Sequence, residues 1–255
     1  MLTGTLDART VREWGDHDSN WARWGGGDRH GALNFITRER VRTACCIPRV
    51  GQVISCALSF DREGSPNGPH RCRTQWDAGR ADANDEIRHG VVGRGVLLDI
   101  SRMLRAPWLD DGTRIRPDDL DACAESQGVT VESGDILLIR TGMMTRCREQ
   151  KAWQGYCDGP APGLSVHCAR WLFEREIAAV AMDTWGVEVR PHETPDISQP
   201  LHAISLRQTR VLFGKNFDLD PLARACTQDG NYDFLFTASP VTATVGSSIH
   251  PLALR

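Results

Sequence analysis

VVGRGVLLDI (91–100) is a nearly unbroken run of aliphatic and β-branched residues. A run of that length with so little polar alternation reads as a strand buried on both faces, hence a central one. The segments after it fix the fold class. PDDLDACAESQG (117–128) reads as a helix: Pro117 suits the first turn, Asp118 and Asp119 favour the positive end of the dipole, and Gly128 suits the C-terminal cap. GDILLIRTG (134–142) is the next strand. LSVHCARWLFERE (164–176) is a helix opening at Ser165, with Ala169, Leu172 and Phe173 on one face, and IAAVAMDTW (177–185) is a further strand. Strands alternating with helices predict an α/β domain. TRVLFGKNFDL (209–219) and YDFLFTASPV (232–241) add two strands, and the chain beyond residue 200 reads mostly as β and loop.

Upstream the signal is weaker. Trp14, Trp21 and Trp24 lie in a Gly-rich stretch, too irregularly spaced for one amphipathic helix. Residues 1–36 therefore read as an extended arm anchored on the body of the protein or on a partner subunit, and residues 37–255 as the α/β domain. Thr37 is a candidate N-cap for a short helix, TRERVRTACC. DREGSPNGPHR (61–71) is a loop by composition, and ADANDEIRH (81–89) has no clear period.

Composition excludes several classes. A net charge of −3 gives no reason to expect nucleic acid or an anionic membrane as partner. The longest apolar run, IAAVA, is far too short to span a bilayer. The first residues lack a basic-then-apolar signal, so a cytoplasmic location is expected. Nine cysteines without a C-x-x-C pair argue for reduced thiols, with Cys123, Cys168 and Cys226 as small packed hydrophobes and packing also expected for Cys45 and Cys46. No P-loop, dinucleotide fingerprint or serine-hydrolase elbow is present.

The chemistry-bearing residues cluster around HRCRTQWDAGRADANDEIRH (70–89). His70, Asp77 and His89, with His202 from QPLHAISL, offer nitrogen and oxygen donors of the kind zinc takes. The bland alternatives are a surface His89 and a solvated acidic face at Asp82, Asp85 and Glu86. Asp183 ends a strand and could join Glu188 as a ligand; otherwise Asp183 caps a turn and Glu188 faces solvent. His192 reads as a surface loop residue, and His250 as structural or a subunit contact.

WARWGGGDRHGALNFIT, VVGRGVLLDISR, GDILLIRTG, PGLSVHCARWLFEREIAAVAMDTWGVEV and GKNFDLDPLARACTQDGNYDFLFTASPV, in that order, resemble the cyclase family of metal-dependent hydrolases, which includes bacterial kynurenine formamidases. The resemblance implies an α/β fold with a swivelling β/β/α core, assembled as a homodimer or homotetramer. It implies a zinc or manganese ion and hydrolysis of a small amide or formamide, typically N-formyl-kynurenine to kynurenine and formate in tryptophan catabolism. The family pattern is His-x-Gly-Thr-His-x-Asp-x-Pro-x-His, with Thr-Gln-Trp-Asp in its centre in larger members. Thr74-Gln75-Trp76-Asp77 matches that centre. By this alignment Asp77 and His202 are ligands, with a further donor from Gln75, His70 or His89, and His89 is left to act as general base or acid. The chain departs from the pattern at Arg71 and Ala81, which stand where the pattern has His, and at Lys215, which stands where it has a ligand Glu; the segment from Asp77 to Val91 is also short. A protonated Lys has no lone pair to give and repels a dication. These departures imply a second reading: a catalytically impaired member kept as a binding or assembly subunit.

Overall fold

The computed structural model describes residues 6–58, 74–77, 87, 89–153, 155–157, 159–240 and 246–255. Its framework is a nine-stranded mixed sheet in the order β1-β11-β9-β3-β5-β7-β8-β2-β10. The strands are β1 (Val53–Ser55), β2 (Gln75–Asp77), β3 (Val91–Asp99), β5 (Ile136–Arg140), β7 (Ala179–Met182), β8 (Leu212–Lys215), β9 (Asp233–Ala238), β10 (Gly246–Ser248) and β11 (Leu252–Leu254). β4 (Arg114–Ile115) and β6 (Gly163–Leu164) pair separately. The inner strands β3, β5, β7 and β8 are parallel, and the antiparallel strands lie outside them. As expected for a strand with paired neighbours on both sides, β3 lies between β9 and β5 and is almost wholly buried.

Alternation along these strands builds two apolar layers. Val96, Leu98, Leu137, Ile139, Val180, Met182 and Phe213 face one layer. Leu97, Ile136, Leu138, Ala179, Ala181 and Leu212 face the other. The first layer is closed by α4 (Pro117–Gln127) and α6 (Cys168–Glu174), both foreseen in the sequence. Gly128 caps α4 with φ 64°. On α6 the buried face runs through Ala169, Trp171 and Leu172, with Phe173 only partly covered. Shorter helices are α2 (Arg38–Ala44), capped by Thr37, α3 (Ile100–Met103) and α5 (Met143–Glu149).

Three expectations need correction. The region beyond residue 200 contains α7 (Pro200–Ile204), which runs into a π-helix over Ser205–Thr209, and α8 (Asp220–Asp229). α8 has its own punctuation, Pro221 in its first turn and Gly230 as an αL cap, and it buries Leu222, Ala223, Ala225 and Cys226 against the second layer. The N-terminal segment is not extended throughout: α1 (Ala8–His17) is a helix, with Trp14 packed at 5.3 Å from the His167 ring. Cys157 is disulfide-bonded, and Cys45 and Cys46 are exposed, whereas Cys123, Cys168 and Cys226 are free and buried as expected. No helix among the described residues is long and apolar enough to cross a membrane.

Candidate active site

Strand alternation gives each residue of Thr74-Gln75-Trp76-Asp77 a separate role. Trp76 enters the second apolar layer, fully buried, with its ring 5.7 Å from Phe217 and 6.2 Å from Phe236. Thr74 Oγ1 accepts from the Leu58 amide at 2.7 Å and donates to the Asn216 carbonyl at 2.7 Å, tying the start of β2 to the end of β8. Gln75 and Asp77 share the face opposite to Trp76. Antiparallel pairing sets Gln75 across from Lys215 and Asp77 across from Phe213. Lys215 Nζ reaches diagonally and donates to Asp77 Oδ2 at 2.7 Å. The two side chains are only 11% and 21% exposed.

α7 brings His202 onto the same Phe213, edge to face with ring centroids 5.0 Å apart. His202 Nδ1 lies 2.7 Å from Glu188 Oε1, and Glu188 Oε2 accepts from the Leu201 amide at 2.9 Å. Glu188 is therefore buried, not turned to solvent. A carboxylate only accepts, so Nδ1 carries the proton of this bond; in the neutral ring Nε2 then presents a lone pair. That Nε2 is buried and has no hydrogen-bond partner among the described residues; the same holds for both ring nitrogens of His192, Thr184 Oγ1 and Trp185 Nε1. Unpaired buried polar atoms cost about 1–3 kcal/mol each, and such atoms also occur at Trp76, Ser205 and Arg255; the open nitrogens of His202 and His192 are the ones near Glu188 and able to receive a polar ligand. His192 is near enough to Glu188, Arg190 and His202 to feel their charge; burial, with Arg190 and His202 adding to it, lowers its pKa from the usual 6.5. Arg190 stacks over the Trp185 ring at 4.4 Å.

Left-handed backbone, found also at Ala22, Arg105, Lys151, Glu176 and Arg210, adjoins three of these supports. Val187, Gln199 and Asn216 have φ of 61°, 59° and 61°. Val187 precedes Glu188, Gln199 caps the helix carrying His202, and Asn216 follows Lys215. Left-handed geometry is uncommon for Gln and an outlier for a β-branched residue, costing on the order of 1–3 kcal/mol, whereas Asn adopts it more readily. The surroundings hold it in place: Leu164 N donates to Val187 O at 2.9 Å, and Asn216 N to Thr184 O at 3.0 Å. Gly163 permits the approach of β6 to the Glu188 turn, since a Cβ there would lie 2.4 Å from the Glu188 carbonyl carbon.

Of the residues singled out in the sequence, Asp77, Gln75 and His202 come together around Phe213 and Lys215. His89 does not join them: it lies in an exposed turn ahead of β3. Gly95, Ile136, Ala179 and Leu212 are level across the parallel strands. His89 is therefore beyond the N-terminal end of that level and Lys215 beyond the C-terminal end, roughly 25 Å apart along the strand direction. His70, Arg71 and Ala81 lie outside the described residues. Asp183 is committed elsewhere, accepting from Thr141 N (2.9 Å), Thr141 Oγ1 (2.7 Å), Gly142 N (2.8 Å) and Met143 N (3.1 Å) at the start of α5. Burial outweighs these bonds and pushes its carboxyl up to about 6. Glu188 as the partner of His202 was not foreseen; its place just beyond the C-terminal end of a parallel strand was the available signal.

The described residues do not fit a divalent cation. Among them no group of three or more His, Cys, Asp or Glu side chains is gathered to hold a metal ion. The one carboxylate facing the site from β2, Asp77, is occupied by an ammonium.

The Cyclase family model matches residues 31–189. A solved structure described as a novel cyclase is 27% identical, covers 93% of this chain and 99% of its own, and superposes with a TM-score of 0.81. Isatin hydrolase A from Labrenzia aggregata, bound to benzyl benzoate, is 17% identical over 79% of this chain and 93% of its own, with a TM-score of 0.54. A potential metal-dependent hydrolase with cyclase activity is 16% identical over 80% of this chain and 98% of its own, with a TM-score of 0.51. The last two likenesses are of fold alone.

Proposed function

The chain belongs to the Cyclase family, and on that footing we propose that it hydrolyses a small amide, in the manner of the family's arylformamidases acting on N-formyl-kynurenine. The observation that carries this reading is the buried His202–Glu188 pair, 2.7 Å apart, with Nε2 unpaired. A histidine oriented by a carboxylate on one nitrogen and open on the other is the arrangement of a general base that takes a proton from water and returns it to a leaving amine. The ring nitrogens of His192, near enough to His202 to feel its charge, add polar groups that suit an amide. The test is an absorbance assay for loss of N-formyl-kynurenine and, for a cyclic amide, of isatin. Turnover above buffer on either supports the reading, and its absence on both removes it. As an enzyme of this family the chain is further proposed to work as a homodimer or homotetramer, to be checked by light scattering.

A second reading has its own observation. Lys215 on Asp77 puts a positive charge where the family resemblance calls for zinc or manganese. On that reading the chain is a catalytically impaired member serving as a binding or assembly subunit. Metal analysis of the purified protein separates this reading from a zinc or manganese hydrolase: a full equivalent of either ion surviving dialysis rules it out.

A further inference from the structure

Resting on the hydrolase reading, we infer that Lys215 and the His202–Glu188 pair form a metal-independent hydrolytic centre, with the Lys215 ammonium supplying the positive charge that receives the carbonyl oxygen. Three features of the structure point the same way. The first is juxtaposition around Phe213. Asp77 is its cross-strand partner, Lys215 is two residues along the same face of β8, and His202 packs on its ring. The second is spare bonding capacity. An ammonium has three N–H donors, and Asp77 is the one hydrogen-bond partner of Lys215 among the described residues. Asp77 thereby fixes Nζ while leaving two donors for a substrate. His202 in turn has Nδ1 fixed by Glu188 and Nε2 buried without a partner. The third is strain. Left-handed backbone at Val187, Gln199 and Asn216 adjoins Glu188, the helix of His202 and Lys215 in turn. Strain of this kind persists where a particular placement of side chains is held against the local preference of the chain.

The chemistry balances without a further reactant. His202 Nε2 takes a proton from water as the water oxygen attacks the amide carbon. The carbonyl π pair moves onto oxygen, and the resulting oxyanion is stabilised by the Lys215 ammonium. When the oxyanion collapses, the C=O bond re-forms and the C–N bond breaks. The imidazolium then delivers its Nε2 proton to the departing nitrogen. One amide and one water become one carboxylic acid and one amine. Lys215 and His202 are the catalytic residues of this scheme. Glu188 and Asp77 are positioning residues, acting through His202 and Lys215.

The experiment is the assay on N-formyl-kynurenine and isatin with the full chain, run after exhaustive treatment with a chelator and again with zinc or manganese added. The expected result is equal turnover in both conditions. Lys215→Met should lower kcat by about 100- to 1,000-fold with little change in KM, as for loss of an oxyanion donor. Lys215→Arg, which keeps the charge, should retain more activity than Lys215→Met. Glu188→Gln should lower kcat by about 100-fold or more at similar KM, a split that a merely structural role would not produce. If Lys215→Met fails to fold, Lys215→Arg and the chelator comparison still decide. Turnover that stops with chelator and returns with metal overturns the inference and leaves the hydrolase reading standing. Metal-independent turnover unaffected by Lys215→Met also overturns it. No turnover in any condition overturns both.

Discussion

Removing the charge of Lys215 should destabilise the protein unless Asp77 is neutralised too, and the size of that coupling follows from the structure. Nζ and Oδ2 are 2.7 Å apart, and both side chains are mostly covered. At an effective dielectric of about 20, two unit charges at that separation attract by about 6 kcal/mol before desolvation is counted. Desolvation takes back much of this, so the pair as a whole is worth far less than its attraction. Loss of one partner is a different matter. Lys215→Met removes the Lys215 ammonium from a carboxylate in a largely dry place, a change that costs about 3–5 kcal/mol for fully buried pairs. Discounted for the partial exposure of Asp77, about 2–4 kcal/mol is expected. Asp77→Asn keeps the shape and an acceptor for Lys215 but removes the charge, so about 1–2 kcal/mol is expected from it alone. In the double variant neither charge is stranded. The loss should then fall short of the sum of the single losses by about 1–3 kcal/mol. Urea unfolding followed by circular dichroism, with slopes compared across all four proteins, measures the cycle. Additivity to within about 0.5 kcal/mol would refute the reasoning, because it would mean that the two groups do not depend on each other in solution.

Four further outcomes are expected. Lys215→Glu exchanges repulsion for attraction toward a dication, a swing of two charge units at about 4 kcal/mol per unit pair at 4 Å and a dielectric near 20; calorimetric titration should show zinc or manganese affinity gained over wild type, and no gain would mean that position 215 does not face the site. Asp183→Asn turns an NH₂ either against the two N–H donors at Oδ2 or against the Thr141 N–H at Oδ1, so unfolding should be easier by about 2–5 kcal/mol; a change under about 0.5 kcal/mol would contradict the bonding described. His192 has a folded pKa below its usual 6.5, so the unfolded chain binds protons more readily: the stability it contributes is full above about 6.5 and is lost as pH falls through the folded value. His192→Gln should flatten the fall in melting temperature below pH 6.5, and an unchanged profile would show that the ring is not buried. Gly163→Ala would push a methyl into the Glu188 backbone at 2.4 Å and should lower both melting temperature and turnover; wild-type values for both would mean that β6 does not press on that turn.

What the sequence made legible was what depends on neighbours in the chain. The run at 91–100, the Pro117 start and Gly128 stop, and the Thr37 cap are local signals, and each appears in the structure where the sequence puts it. α8 is not foreseen although it carries the same Pro and Gly punctuation, because residues 220–231 lie between two strand signals, 209–219 and 232–241, in a region that reads as β and loop. The site was legible in its residues but not in its pairings. Asp77 and Lys215 are 138 positions apart in the chain and meet only through the β2–β8 register. Glu188 and His202 are 14 apart, across a loop with no periodicity to read. His89 looked like a site residue because it closes the acidic stretch after Asp77, but β3 begins two residues later and fixes it at the other end of the sheet.

The departures from the family pattern acquire a meaning in three dimensions that they lack in the alignment. Read singly, a Lys in place of a ligand Glu is a loss. Decay of a metal centre, however, predicts a relaxed site: freed of its ligand, Asp77 would turn to solvent, and His202 would need no partner to hold its ring. The structure has the opposite character. The Lys is matched to the carboxylate it faces, the histidine is held by a buried glutamate that also takes the Leu201 amide, and left-handed backbone adjoins all three supports. The left-handed backbone at Val187 and Gln199, at roughly 1–3 kcal/mol each, is a sizeable share of a stability that is typically only about 5–15 kcal/mol. The hydrolytic role proposed above accounts for a charged pair and an oriented histidine held on the same face of the sheet.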